Sequence, residues 1–152
     1  MMIRSIRKSD YWGVDRLLLQ LHQMDVSNRP DMFAPITRYM TRDSFNSLVE
    51  NPNVIALLAR EKGTAVGCCF VSMLRRSGMT PMKSAYIDLL VVDEKHRHRG
   101  IGRALFQEVQ RQAKEVGAER IDLTVWSYND VAIHAYRSYG MAPQRYVFEI
   151  SV

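Results

Sequence analysis

Residues 86–116 read YIDLLVVDEKHRHRGIGRALFQEVQRQAKEV, and this stretch decides the fold. Its opening apolar run belongs to a strand from Ser84 to Val92, with Tyr86, Asp88, Leu90 and Val92 sharing one face by two-residue alternation. A basic loop follows, Asp93 to Arg99. The chain then restarts at Gly100-Ile101-Gly102 as a helix to Val116, with Ile101, Leu105, Val109 and Ala113 on one stripe and Gly117 as its left-handed cap. A strand feeding a glycine turn and a helix N-terminus presents backbone N–H groups to an anion. Lys95, Arg97, Arg99 and Arg103 add positive charge at the same place. Two common anion loops do not fit. A nucleotide-binding phosphate loop needs Lys-Ser or Lys-Thr where Arg103-Ala104 stands, and a dinucleotide fold needs a third glycine where Leu105 stands. The remaining readings are a different phosphate ligand, or glycines that only let the helix pack closely.

Outward from this stretch the chain divides into short elements. Met2 to Ile6 is a strand. Ser9 is the expected cap of a helix to about His22, and Met24 to Pro35 reads as a loop. A second helix spans about Thr41 to Glu50. Val54 to Arg60 and Thr64 to Arg76 form a hairpin across Lys62-Gly63, and Ser77 to Lys83 is a connection. After the long helix come a strand, Arg120 to Trp126, and a helix, Asp130 to Tyr139, capped by Asn129. Tyr146 to Ile150 closes the chain as a strand. The order βααβββαβαβ predicts an α/β three-layer sandwich, a mixed and mostly antiparallel sheet with helices on both faces, as one domain over residues 1–152.

Composition narrows the partners. The 152 residues carry a net charge of +5, scattered except for the cluster at Lys95 to Arg103. A single compact cluster without interleaved aromatics suits a small phosphate ligand better than nucleic acid. No apolar run reaches the roughly 18 residues of a membrane span, and MMIRSIRKSD has no apolar core of leader length, so a cytoplasmic protein is expected. Cys68 and Cys69 are adjacent on one strand, point to opposite faces and read as reduced core residues. His96 and His98 have no Cys, Asp or His around them at zinc-site spacing, so no metal is expected.

Downstream, Asn129-Asp130-x-Ala132-Ile133-x-x-Tyr136-x-x-x-Gly140 follows the Arg97-x-x-Gly100-x-Gly102 turn by one helix and one strand. At these two motifs the chain resembles the GCN5-related N-acetyltransferase (GNAT) superfamily, over about Tyr86 to Met141. Its second motif departs from the family's usual Leu-Gly-Phe ending, with Tyr139-Gly140-Met141 in place. The resemblance implies the acyl-CoA N-acyltransferase fold and acetyl-CoA as co-substrate. It implies that Arg97, His98, Arg99, Gly100, Ile101, Gly102 and Arg103 hold the pyrophosphate, with Asn129 in the second signature. It further implies that the strand splays from its parallel neighbour and that backbone groups of Leu90, Val91 and Val92 bind the pantetheine arm. A backbone N–H near Leu90 would then polarise the thioester carbonyl.

The implied chemistry is direct attack of a primary amine in a ternary complex, with Tyr136 as general acid or else one more packed aromatic. Asp88 stands out as a carboxylate among apolar neighbours: a base, an ammonium anchor, a water-orienting group or a structural partner. Some relatives carry a glutamate two residues earlier, where this chain has Tyr86. The acceptor pocket is expected from about His22 to Arg42 and from Arg75 to Met82, with His22, Asp25, Asp31 and Tyr39 as polar candidates. Small-molecule amines such as polyamines or aminoglycosides are the first expectation. A protein N-terminus or lysine comes next, and a non-catalytic acyl-CoA sensor is the contrasting class. The terminal strand is the candidate surface for a homodimer.

Overall fold

The computed structural model describes residues 1–75 and 82–152. Most of the expected Ser77–Lys83 connection, and with it the Arg75–Met82 wall of the acceptor pocket, lies outside the described residues. The elements are β1 (Met2–Ser5), α1 (Tyr11–Asn28), α2 (Arg42–Glu50), β2 (Val54–Glu61), β3 (Thr64–Arg75), β4 (Lys83–Val92), α3 (Ile101–Glu115), β5 (Arg120–Leu123) and α4 (Asp130–Ser138). The sheet runs β1-β2-β3-β4-β5, antiparallel except for the parallel β4–β5 pair. Consecutive hairpins give the antiparallel ladders, and the α3 crossover gives the parallel one.

Alternation along β2, β3 and β4 sends side chains to two cores. On one face Leu57, Cys69, Val71, Ala85 and Ile87 pack against Ile101, Leu105, Phe106 and Val109 of α3. On the other, Leu58, Cys68 and Phe70 pack against Val14, Leu17 and Leu18 of α1 and Phe45 of α2. Tyr139 and Met141, at and beyond the end of α4, join the α3 side. This is the expected sandwich, and the two adjacent cysteines do point into opposite cores.

Several boundaries differ from the sequence reading, among them the end of β5, which stops at Leu123 and not at Trp126. Helix α1 runs six residues past His22, to Asn28, because nothing before Arg29-Pro30 breaks it. Its start is not capped by Ser9; a short 3₁₀ turn, Lys8–Asp10, precedes it, and Asp10 accepts from the Arg7 N–H at 2.7 Å. The larger correction is at the end of the chain. Residues 142–152 form no strand and are exposed. A period-two pattern specifies side-chain faces, but a strand exists only where the backbone reaches a ladder partner.

Candidate active site

Strand β4 changes character at one residue. Its register with β3 matches Val71 to Ile87 and Phe70 to Leu89, leaving Asp88 as an extra, unmatched residue. This is a β-bulge, and bulges bend the strand that carries them. The parallel ladder to β5 covers only Ser84 to Ile87 and stops at the same point. From Leu89 to Val92, β4 therefore has β3 on one side and no strand on the other among the described residues. The gap that the resemblance implied would fall here, beside the backbone of Leu90, Val91 and Val92.

The bulge overturns the expected alternation. Ahead of it, Ile87 faces the α3 core; beyond it, Leu90 and Val92 face that core while Leu89 and Val91 face α1. Leu90 and Val92 thus do not share the face of Tyr86, since one inserted residue inverts every position after it. Nor is Asp88 a carboxylate among apolar neighbours. It is exposed and accepts a hydrogen bond from Ser72 Oγ at 2.5 Å. Tyr86, opposite Ser72, is bonded instead to Thr124 Oγ1 at 2.6 Å.

Beyond Val92 the chain is anchored by Asp93, which the sequence reading passed over. Its buried carboxylate accepts from Gln20 of α1 at 2.8 Å, meets His96 Nδ1 at 2.6 Å and lies 3.4 Å from Arg16. Burial pushes its pKa up, but the bonds from Gln20 and His96 and the positive charge of Arg16 outweigh this and hold it below the usual value. His96 is thereby a structural residue. The acid three positions ahead of a histidine, at the end of a strand, was the available signal.

The turn then uses two left-handed residues, His98 at φ 62° and Gly100 at φ 78°. A side chain at Gly100 would strain the backbone even though a Cβ there meets nothing within 4 Å. Ala104 N–H closes the first helical bond onto Gly100 O, and the N–H groups of Ile101, Gly102 and Arg103 have no acceptor among the described residues. They form, with the loop before them, a concave set of donors at the positive end of α3. Gly102 answers a different need: a Cβ there would lie 3.0 Å from Tyr139 Oη and 3.6 Å from Val92 Cγ2. Of the cations, Arg97 Nε donates to Val92 O at 3.2 Å, Arg99 pairs with Glu61 at 3.3 Å and Arg103 covers the Tyr139 ring at 5.0 Å.

Helix α4 brings in the second motif. Asn129 Oδ1 accepts from Ala132 N–H at 3.2 Å, so its carbonyl caps the helix. Seven residues on, Tyr136 is half-buried, with its ring edge-on to Tyr139 at 6.2 Å. Its hydroxyl has no hydrogen-bond partner among the described residues. Burial, and then the neighbouring Cys69 and Tyr139, raise its pKa. Cys69 is the cross-strand partner of Leu90, which ties Tyr136 to the stretch of β4 beyond the bulge.

A second wall forms where α1 ends. Tyr128 Oη donates to Asp25 Oδ1 at 2.5 Å and stacks on Trp126, centroids 5.8 Å apart. Phe33 meets Trp126 edge-on at 5.7 Å, and His22 meets Phe33 at 5.8 Å and Tyr39 at 6.2 Å. Burial raises the Tyr39 pKa, and negative charge on Asp25 and Asp88 raises it further, so both acids act on this ring. His22 and Asp25 thus lie near Tyr39, while Asp31 is exposed and bonded to Arg29. Trp126, read as the end of a strand, lies instead in the turn after β5, and Tyr128 was missed, since a turn after a four-residue strand carries no periodicity to place it.

No described helix is long and apolar enough to cross a membrane. Comparison with known proteins agrees with the geometry. The model of the Acetyltransferase (GNAT) family matches residues 20–141. The uncharacterized N-acetyltransferase YdgE of Bacillus subtilis is 29% identical over 101 residues, 66% of this chain and 59% of that one. The N-alpha-acetyltransferase RimI of Mycobacterium tuberculosis is 34% identical over 97 residues, 64% of this chain and 58% of that one. The chain thus spans under two thirds of the length of these curated relatives. A crystal structure of a mutant of the BH1408 protein from Bacillus halodurans superposes with a TM-score of 0.96 at 28% identity, over 100% of this chain and 99% of that one. The bulged strand, the glycine turn and the capped α4 fall within the matched region, and the chain belongs to the GNAT acetyltransferase family.

Proposed function

We propose that the chain transfers an acetyl group from acetyl-CoA to a primary amine, by direct attack of the amine in a ternary complex. The observation that carries this is the coincidence at β4: the ladder to β5 ends at the Asp88 bulge, and the same strand runs into a turn with unpaired N–H donors. These residues fit the donor. The N–H groups from His98 to Arg103 suit a pyrophosphate, with Arg97, Arg99 and Arg103 around it. The free backbone edge of Leu90, Val91 and Val92 suits an amide-bearing arm, and Asn129 closes the α4 side. Acetyl-CoA supplies a thioester whose thiol is the leaving group.

The chain's own residues supply the rest. Covalent catalysis through a cysteine is disfavoured: burial pushes the Cys68 thiol up to about 12 and raises Cys69 as well, so neither is a thiolate at neutral pH. Tyr136 stays protonated throughout the working range. Its O–H stabilises negative charge developing on the departing sulfur. Asp88, exposed on the α1 face beside the gap, takes the proton of the incoming ammonium or anchors it. Replacing it by asparagine separates these roles: loss of the basic limb's dependence in the rate–pH profile makes it the base, and an unchanged profile with raised acceptor KM makes it the anchor.

The acceptor we favour is a cationic small-molecule amine, because Asp25 is bonded to Tyr128, which stacks on Trp126, and the negative charges of Asp25 and Asp88 both act on Tyr39. The name of the mycobacterial relative speaks for a protein N-terminus instead. Release of free thiol from acetyl-CoA, followed across polyamines, aminoglycosides, amino acids and peptides, tests both. Tight acetyl-CoA binding without turnover on any amine would make the chain a sensor.

A further inference from the structure

Helix α1 buries one carboxylate that acyl transfer itself does not use. Asp15 is 3% exposed and belongs to the stripe Tyr11, Asp15, Leu18, His22, whose spacing of four, three and four keeps it on one helix face. Tyr11 and Leu18 join the α1 core, where a carboxylate is costly unless it is bonded. Asp15 is bonded through both oxygens, and both donors come from the chain between α1 and α2. The Tyr39 N–H donates to Oδ1 at 2.8 Å and Arg38 Nη1 to Oδ2 at 3.1 Å, with the Arg38 guanidinium 4.6 Å over the Trp12 ring.

That segment has little else to hold it. Among the described residues, no backbone N–H from Ala34 to Met40 donates to a backbone acceptor. Ordering such a stretch costs conformational entropy that its own ladder does not offset, so side chains must fix its path. Two other members of the α1 stripe help. Tyr11 Oη donates to Met40 O at 2.6 Å, and His22 Nε2 donates to Ala34 O at 2.7 Å, since a carbonyl only accepts. Asp15 holds the residue with the most to do. Asp25 and Asp88 both act on the Tyr39 ring, so fixing the Tyr39 backbone fixes that ring relative to both acids.

We propose that Asp15 is a positioning residue for the acceptor: by holding the Tyr39 N–H it keeps the Tyr39 ring on the acceptor wall. Without it the wall loses affinity for the amine while the donor turn is untouched. This rests on the acyl-transfer reading, whose acceptor wall it serves, and its first test needs no turnover.

That test is amide hydrogen exchange, followed by NMR on the isotope-labelled full chain. The Tyr39 amide should exchange at least about tenfold more slowly than the amides of the exposed Ile36, Thr37 and Arg38. A Tyr39 amide as fast as theirs in the wild type overturns the clasp, whether or not any variant folds. In Asp15→Ala its protection should vanish while the amides of α3 and β3 stay protected. In Asp15→Asn, whose side-chain carbonyl still accepts, it should persist. The second test is a kinetic split, on the fastest amine among polyamines, aminoglycosides, amino acids and peptides. Asp15→Ala should raise acceptor KM about tenfold, with kcat and acetyl-CoA binding within about twofold, and Asp15→Asn should recover most of the loss. An acceptor KM indifferent to Asp15→Ala, or equal losses for amine and acetyl-CoA, overturns the positioning role. A chain that acetylates no amine sinks the acyl-transfer reading and the acceptor role with it, while the exchange rates alone still decide whether Asp15 holds Tyr39.

Discussion

The two halves of the proposed site are built by different means. On the donor side, from Asp88 through Arg103, backbone geometry does the positioning: a bulge, an interrupted ladder, two left-handed residues and a helix terminus. On the acceptor side, side chains from distant segments do it: Asp25 meets Tyr128, Phe33 meets Trp126, and His22 meets Tyr39. Backbone devices demand particular residues at fixed spacing, whereas aromatic walls accept many arrangements. The donor side is therefore expected to be intolerant of single changes and the acceptor side graded.

The largest effect should come from Tyr136, the side chain proposed to stabilise the leaving thiol. Tyr136→Phe keeps the ring contact with Tyr139 and removes only the hydroxyl. It should lower kcat by roughly 10²-fold with the KM for acetyl-CoA almost unchanged, as steady-state kinetics would show. A change confined to KM would reduce Tyr136 to a packing residue.

Next comes the turn. Gly100→Ala places a Cβ on a left-handed residue, at a cost of about 1–2 kcal/mol. That should weaken acetyl-CoA binding roughly tenfold in a calorimetric titration while leaving acceptor KM alone. Gly102→Ala tests a separate idea, since its Cβ would press on Tyr139 Oη rather than on the turn. If both substitutions were harmless, the backbone account of the donor side would fail.

The same contrast explains what could be read from the sequence. The turn was legible because Gly100 and Gly102 stand at positions with a steric reason, and α4 because Asn129 is a cap with a helical run behind it. The layers and the β2–β3 hairpin followed from the periodicity of Val54 to Val92. The bulge was not legible: Asp88 fits an unbroken alternation as well as it fits an insertion, and only the register with Val71 and Phe70 distinguishes them. Tyr128 could not be placed because its partner Asp25 lies 103 residues away. The terminal segment misled for the reverse reason, its local pattern being clear while no strand pairs with it among the described residues.

On the acceptor side smaller, selective losses are expected. Tyr128→Phe leaves Asp25 without its 2.5 Å donor while preserving the stack on Trp126. A single hydrogen bond to a charged group contributes about 1.5–3 kcal/mol, less where the wall meets solvent. Acceptor KM should rise about fivefold, with acetyl-CoA binding unaltered, on whichever amine proves best. Equal losses for donor and acceptor would mean that the two walls are one mechanical unit.

Asp93 is where such coupling would arise, because it joins Gln20 and Arg16 of α1 to His96 at the root of the turn. Its pKa is lowered in the folded chain, so its contribution to stability is complete above the unfolded value of about 3.9 and is lost as pH falls through the folded value. The Asp93→Asn variant should be less stable than the wild type at pH 7 by about 1 kcal/mol. The gap should begin to close as pH falls below about 4 and vanish only below the lowered folded value, where the wild-type carboxyl is neutral as well. Thermal unfolding of both proteins between neutral and acid pH measures this directly, and the difference curve cancels the acid titrations of Asp10, Asp31 and Glu108, whose pKa values are also lowered. A constant gap across that range would mean that Asp93 acts through its shape and hydrogen bonds, not its charge. The link between α1 and the turn would then be geometric, and changes in the acceptor wall would have no electrostatic route to the donor turn through Asp93.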